Sequence, residues 1–92
     1  MDKEIVWTDI AKNDLKNIFS YLQINWPSKV LDDFNSVLNF KVQLLSRHPH
    51  IGFKSKKYSR FRKTLITKNY IIIYSIKKEH IVILRIKHVA MK

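Results

Sequence analysis

Apolar positions along this chain change period twice. Glu4-Ile5-Val6-Trp7-Thr8 is β-branched and aromatic and reads as a short first strand. Ala11, Leu15, Ile18, Phe19, Leu22 and Trp26 then recur at helical spacing and form one apolar stripe. Thr8 or Asp9 is placed to cap the first turn of that helix. Pro27 interrupts it, because proline has no N–H to donate to the previous turn. Asn25-Trp26-Pro27-Ser28 is then a tight turn into a second helix. Leu31, Phe34, Leu38, Val42 and Leu45 mark its stripe, Val30 and Val37 widen it, and it ends at Arg47-His48-Pro49. So short a link between two amphipathic helices predicts an antiparallel hairpin.

Beyond the helices, Ser46 to Lys57 reads as a basic loop around Pro49 and Gly52. The spacing turns to strand from Tyr58. Tyr58 to Thr67 alternates, with Phe61, Lys63 and Leu65 on one side and Arg60, Arg62 and Thr64 on the other. Lys68-Asn69 is a turn. Tyr70 to Ile76 is apolar on both sides and reads as a central strand. Lys77-Lys78-Glu79-His80 turns again, and Ile81 to Lys87 is the last strand. There Val82, Leu84 and Ile86 are expected on one side, and Ile81, Ile83, Arg85 and Lys87 on the other. The fold class is α+β in the order β-α-α-β-β-β, with the helix hairpin covering one face of a small antiparallel meander. The opposite face is expected to carry Arg60, Arg62, Arg85 and Lys87.

Ninety-two residues are enough for one domain, residues 1–92, and for a single core. A 46% hydrophobic composition excludes intrinsic disorder. The chain has no cysteine, which removes disulfides, thiol catalysis and cysteine-ligated zinc. No apolar run reaches the roughly 18 residues of a membrane span. Met1-Asp2-Lys3-Glu4 lacks the basic-then-apolar order of a signal peptide. The expectation is a soluble cytoplasmic domain without membrane contact.

Charge adds the first functional constraint. Eighteen Lys and Arg oppose seven Asp and Glu, a net +11, which implies a polyanionic partner such as nucleic acid or an acidic protein. Six of the seven acidic residues precede residue 34, so the C-terminal strands are the basic part. Phosphoryl chemistry on RNA would need a base, an acid and cations. Arg62 and Arg85 could hold a phosphate, Tyr70 or Tyr74 could orient it, and His88 could give or take a proton. The plainer reading of His88 is a strand-end residue, and that of the arginines a solvated sheet face. Tyr58 and Phe61, interleaved with Arg60 and Arg62, could stack bases. His48 and His50 flank Pro49 without a nearby carboxylate, so no metal site is expected there, and nothing asks for a cofactor. Asp32 and Asp33 read as first-turn charges favoured by the helix dipole. Trp7, Phe19, Trp26 and Phe34 read as core.

These residues, in this order, resemble the RelE/ParE toxin superfamily of bacterial type II toxin–antitoxin systems. Trp7-Thr8-Asp9-Ile10-Ala11 with Asp14-Leu15 and Ile18 resembles its opening pattern. Leu45, Pro49 and Gly52 are similar to its L-x-x-x-P-x-x-G, and a basic strand and Tyr70-x-x-x-Tyr74 follow. Ile83-Leu84-Arg85-Ile86-Lys87-His88 is similar to the I-L-R-V-x-H of ParE-type chains. Nuclease members commonly carry arginine where this chain has Ile71, and their C-terminal arginine and tyrosine are not evident in Val89-Ala90-Met91-Lys92. The resemblance therefore implies a ParE-like toxin that inhibits DNA gyrase. The alternative is a RelE-like endoribonuclease cutting mRNA on the ribosome, with Arg62, Arg85 and His88 catalytic. For target or nucleic-acid binding the residues are Arg60, Arg62, Lys63, Arg85, Lys87 and His88. It also implies a cognate acidic antitoxin, with the toxin–antitoxin pair assembling as a hetero-oligomer. The antitoxin is expected to fold into the apolar groove between the helix hairpin and the sheet edge.

Overall fold

The computed structural model describes residues 2–57 and 60–89. The expected strand start at Tyr58 and the tail Ala90-Met91-Lys92 lie outside the described residues. Strand β1 (Glu4–Trp7) leads into helix α1 (Asp9–Asn25), and helix α2 (Ser28–Arg47) follows after Pro27. A single 3-10 turn, Pro49–Ile51, precedes strands β2 (Phe53–Lys54), β3 (Arg62–Thr67), β4 (Tyr70–Ile76) and β5 (His80–His88). The sheet order is β1-β5-β4-β3-β2.

The meander expectation holds for β2 to β5, which pair antiparallel. It fails at β1, which lies parallel to β5 and pairs Glu4 with His80 through Trp7 with Ile83. A parallel neighbour needs a crossover, and the helix hairpin begins that crossover. The basic loop also contains β2, whose two residues are too few to show an alternation in sequence.

Thr8 closes the join between β1 and α1. Its hydroxyl accepts the Ala11 N–H at 3.0 Å as the helix cap and donates to the Leu84 carbonyl at 3.1 Å. The core lies between the helices and one sheet face. Ala11, Leu22, Phe34, Leu38 and Leu45 meet Ile66, Tyr70, Ile72, Tyr74, Ile81, Ile83 and Ile86. Phe19, Phe34, Tyr70 and His88 form a chain of edge-on rings with centroids 6.0, 5.2 and 5.1 Å apart. Phe34 is buried, while Trp7 and Phe19 pack partly buried against the cluster. Trp26 corrects the core expectation: α1 ends one residue before it, and its side chain is 52% exposed. Asp32 and Asp33 fall in the second turn of α2 rather than the first, and Asp33 reaches Lys29 at 3.9 Å.

The 3-10 turn is fixed by Tyr74. Its buried hydroxyl donates to the Pro49 carbonyl at 2.7 Å and accepts the Gly52 N–H at 3.2 Å. Gly52 is required by space, since a Cβ there would collide with the Lys63 carbonyl and the Tyr74 hydroxyl. One of those atoms is backbone and cannot rotate away.

β5 is longer than β1, so the β5 edge beyond Ile83 has no strand beside it. Helix α1 takes that place. The Asp14 carboxylate accepts the Ile86 N–H at 3.1 Å and the Arg85 guanidinium through Nε at 2.7 Å and Nη2 at 3.1 Å. Burial alone would raise the Asp14 pKa. The hydrogen bonds from Arg85 and Ile86, with the charges of Arg85 and Lys87, outweigh it and hold the carboxyl below the usual carboxylate range.

Two stability predictions result. Gly52→Ala should cost about 2 kcal/mol and lower the thermal midpoint by roughly 10 °C; an unchanged melt would refute the close contact. A carboxyl with a depressed folded pKa stabilises above its unfolded value and loses that contribution as pH falls through the folded one. The wild type's stability against urea should therefore fall as pH drops below about 4, and Asp14→Asn should be less stable at neutral pH and flatter across that window. Equal pH slopes would show that Asp14 is not so held.

Candidate functional site

The sheet face turned away from the helices collects the basic residues, and a β-bulge decides which. Ile73 pairs with Arg85, but Tyr74 pairs with Ile83, so Leu84 is an extra residue. Parity along β5 therefore flips. Ile81, Ile83 and Ile86 face the helices, whereas Leu84, Arg85 and Lys87 lie on the open side. This corrects the simple alternation, which put Ile86 with Val82 and Leu84, and Arg85 with Ile81 and Ile83.

On β3 the inward residues are Thr64 and Ile66, and Leu65 is 46% exposed. Lys63 pairs with Ile73 and shares the outward side of Leu65, while Arg62 shares the inward side of Thr64, so Lys63, rather than Arg62, lies on the open face. A cleft of about 450 Å³ results, with Lys57, Lys63, Arg85 and Lys87 around an apolar floor that includes Phe61, Ile73 and Leu84. Among the described residues lining it there is no histidine and no carboxylate. Arg85 is oriented by the Asp14 fork, and the same contact raises the guanidinium pKa above its already high ordinary value. Four cations around an apolar floor suit a polyanion or a carboxylate-bearing protein surface.

The other sequence-predicted residues are dispersed. Arg62 shares the helix-side parity of Thr64 and Ile66, and its Nη2 donates to the Gly52 carbonyl at 2.5 Å and the His50 carbonyl at 3.0 Å. Its Nε is buried with no hydrogen-bond partner. Arg62 thus pins the turn that precedes β2, and the expectation that it joins Arg85 and Lys87 on one face is corrected. Arg60 is exposed just before β3, its guanidinium 5.9 Å from the Phe61 ring centre. His88 ends β5 on the helix side, edge-on to Tyr70. Arg62 therefore stands apart, whereas Arg85 and His88 line one groove on the helix side together with Tyr70 and Lys87. Tyr74 is committed to the Pro49 turn. His48 and His50 lie on the exposed 3-10 turn, and among the described residues no three His, Cys, Asp or Glu side chains cluster as metal ligands.

A second groove opens on the helix side at the end of β5. One part, about 620 Å³, is lined by Asp14, Ile18, Tyr21, Tyr70 and the β5 residues Arg85 to His88. The other, about 400 Å³, continues past Tyr21, Tyr70 and His88 to Trp26, Val30, Phe34 and Val37. Burial, with the neighbouring Tyr21 phenol, raises the Tyr70 pKa.

Sequence reasoning missed Asp14 as the partner of Arg85. The signal was present: Asp14 is three residues after Ala11 and four before Ile18, a carboxylate on an apolar stripe. Lys57 carried no signal, because only the folded loop brings it to the cleft.

Comparison with known proteins agrees with this architecture. No characterised protein sequence matches the chain significantly. Among solved structures, the chromosomal ParDE system of P. aeruginosa superposes with a TM-score of 0.78 at 21% identity, over 95% of this chain and 96% of that one. The RelBE2 toxin–antitoxin complex of Mycobacterium tuberculosis gives 0.68 at 25% identity, over 96% and 99%. The YoeB dimer of Staphylococcus aureus gives 0.67 at 19%, over 95% and 97%. No helix among the described residues is long and apolar enough to cross a membrane. The family model of the ParE toxin of the type II parDE toxin–antitoxin system matches residues 5–92. With nearly its whole length so matched, the chain belongs to the ParE toxin family, a toxin of the RelE/ParE superfamily of type II toxin–antitoxin systems.

Proposed function

We propose that this chain inhibits DNA gyrase by docking the open sheet face onto the topoisomerase or its DNA, and that a cognate acidic antitoxin neutralises it. The observation that carries the reading is the composition of the cleft: Lys57, Lys63, Arg85 and Lys87 on an apolar floor. Such a surface recognises charge and shape. Proton transfer at neutral pH calls for a group such as imidazole, which the described lining of this cleft lacks; His88 lines the helix-side groove instead, with Tyr70, Arg85 and Lys87. The family match supports the same reading. Structures of ParDE, RelBE and DinJ-YafQ toxin–antitoxin complexes support an antitoxin partner and a toxin–antitoxin hetero-oligomer. The chain's +11 charge would draw an acidic partner by steering.

A second reading is a ribosome-dependent mRNA endoribonuclease. What favours it is the held geometry of Arg85, whose forked pairing would present a fixed cation to a phosphate. In that reading His88→Ala abolishes mRNA cleavage and leaves ribosome binding intact.

Gyrase supercoiling of relaxed plasmid, with the purified chain titrated in, tests the first reading. Inhibition with trapped cleaved plasmid is expected. Lys63→Ala and Lys87→Ala should each weaken inhibition roughly fivefold, the loss shrinking at high salt. His88→Ala should leave it unchanged. No inhibition at excess protein would overturn the gyrase reading and move the test to translating ribosomes.

A further inference from the structure

The cleft on the open face is walled on two sides, a shape that a broad docking surface does not use. Thr8 and Ile10, at the start of α1, line it on the β1 side, and Ser55, Lys57 and Phe61, from the connection between β2 and β3, line it on the other. Ile73 and Leu84 lie between them on β4 and β5. The backbone around this floor already has partners. The carbonyl of Leu84, the extra residue of the bulge, accepts the Thr8 hydroxyl at 3.1 Å, and the Phe61 carbonyl accepts the Ser55 N–H at 2.8 Å. The floor therefore offers hydrocarbon, and Ile10 at its edge is 58% exposed.

The cations are arranged across that floor. Strand pairing puts Lys63, Ile73 and Arg85 on one rung of the sheet, a cation on each side of an isoleucine, and Lys87 beside Ile71 on the next rung of the same face. Among the described residues no carboxylate comes within 4 Å of the Lys63 or Lys87 amine, whereas Arg85 has Asp14. Like charges held this close gain from one anion among them. A cleft of about 450 Å³, apolar below with a few polar groups placed around it, has the size and composition of a small-molecule site. Duplex DNA meets this geometry poorly. Its phosphates can reach the rim, but nothing on its backbone fills the hydrocarbon beneath.

We propose that this cleft is a binding site for a small amphipathic anion. An aromatic or alkyl body lies on Ile10, Ile73 and Leu84, and its carboxylate, sulfonate or phosphate sits between Lys63 and Arg85, within reach of Lys87. The Asp14 fork holds Arg85 before the ligand arrives, so half of the anion's seat is preorganised. The site goes beyond the gyrase reading and does not depend on it. Where the open face also docks a target, a bound ligand excludes that target, which makes the ligand an inhibitor of the toxin distinct from any antitoxin.

The probe is the fluorescent dye anilinonaphthalene sulfonate, titrated into the full chain at constant ionic strength. Saturable binding at a single site is expected. Phenylnaphthylamine, the same body without the sulfonate, should bind about tenfold more weakly. Lys63→Gln should weaken the sulfonate about fivefold and leave the neutral dye unchanged, and Lys63→Arg should restore it. Ile10→Ser should weaken both dyes, whereas Tyr21→Ala, in the helix-side groove, should weaken neither. Decanoate, kept monomeric, should displace the sulfonate dye. Thermal melts of each variant confirm that it is folded. Equal affinity for the two dyes, a loss of binding in Tyr21→Ala, or binding indifferent to Lys63→Gln and Ile10→Ser would overturn the site, whatever the chain does to gyrase. A chain that fails to inhibit supercoiling while the dye pattern holds would remove the gyrase reading and leave the site standing.

Discussion

Everything at the functional end of this molecule follows from a mismatch in strand length. β5 has nine residues, and its parallel neighbour β1 covers only the first four. A bare strand edge beside an apolar core must have its polar groups satisfied. Here α1 supplies the partners through two side chains, Thr8 at Leu84 and Asp14 at Ile86. Because Asp14 also forks onto Arg85, the contact that completes the sheet is the one that sets the direction of a cation in the candidate site. Fold and site are joined at a single carboxylate.

The bulge at Leu84 is the second constraint. Without it, strict alternation would send either Ile86 into water or Arg85 into the core. One extra residue lets Ile83 and Ile86 both be buried while Arg85 and Lys87 stay together on the open side. At the opposite edge a cation has a different task. Arg62 spends its guanidinium on the carbonyls of His50 and Gly52, and with the Tyr74 hydroxyl it holds the Pro49 turn against the sheet. The two arginines thus take different partners within the chain: Arg62 the carbonyls of a turn, Arg85 a carboxylate of α1.

Most of the fold was legible because it is written in local patterns. The helical stripes, the Thr8 cap, the break at Pro27 and the apolar central strand each depend on a few consecutive residues. β1 was found as a strand, but its direction was hidden, since pairing Ile5 with Ile81 is a contact across the whole chain. The candidate site was legible in composition and not in geometry. Arg85, Lys87 and Lys63 were named, yet the face they share depends on a bulge and on the choice between Leu65 and Ile66. Neither has a signature in a single sequence. Trp26 was misplaced for a related reason: the stripe of α1 pointed inward, but the helix had already ended.

The parallel pairing of the first strand with the last has a consequence for synthesis. Chain made on a ribosome emerges N-terminus first. Helices α1 and α2 can form early, but β1 finds no partner until residues 80–83 have appeared, and Asp14 has nothing to hold until Arg85 follows. The basic edge and its orienting carboxylate come together only when the final strand is out. A nascent chain therefore carries its helices without its cationic face, and the helix-side groove, walled by Tyr70 and by Arg85 to His88, is completed only with that last strand.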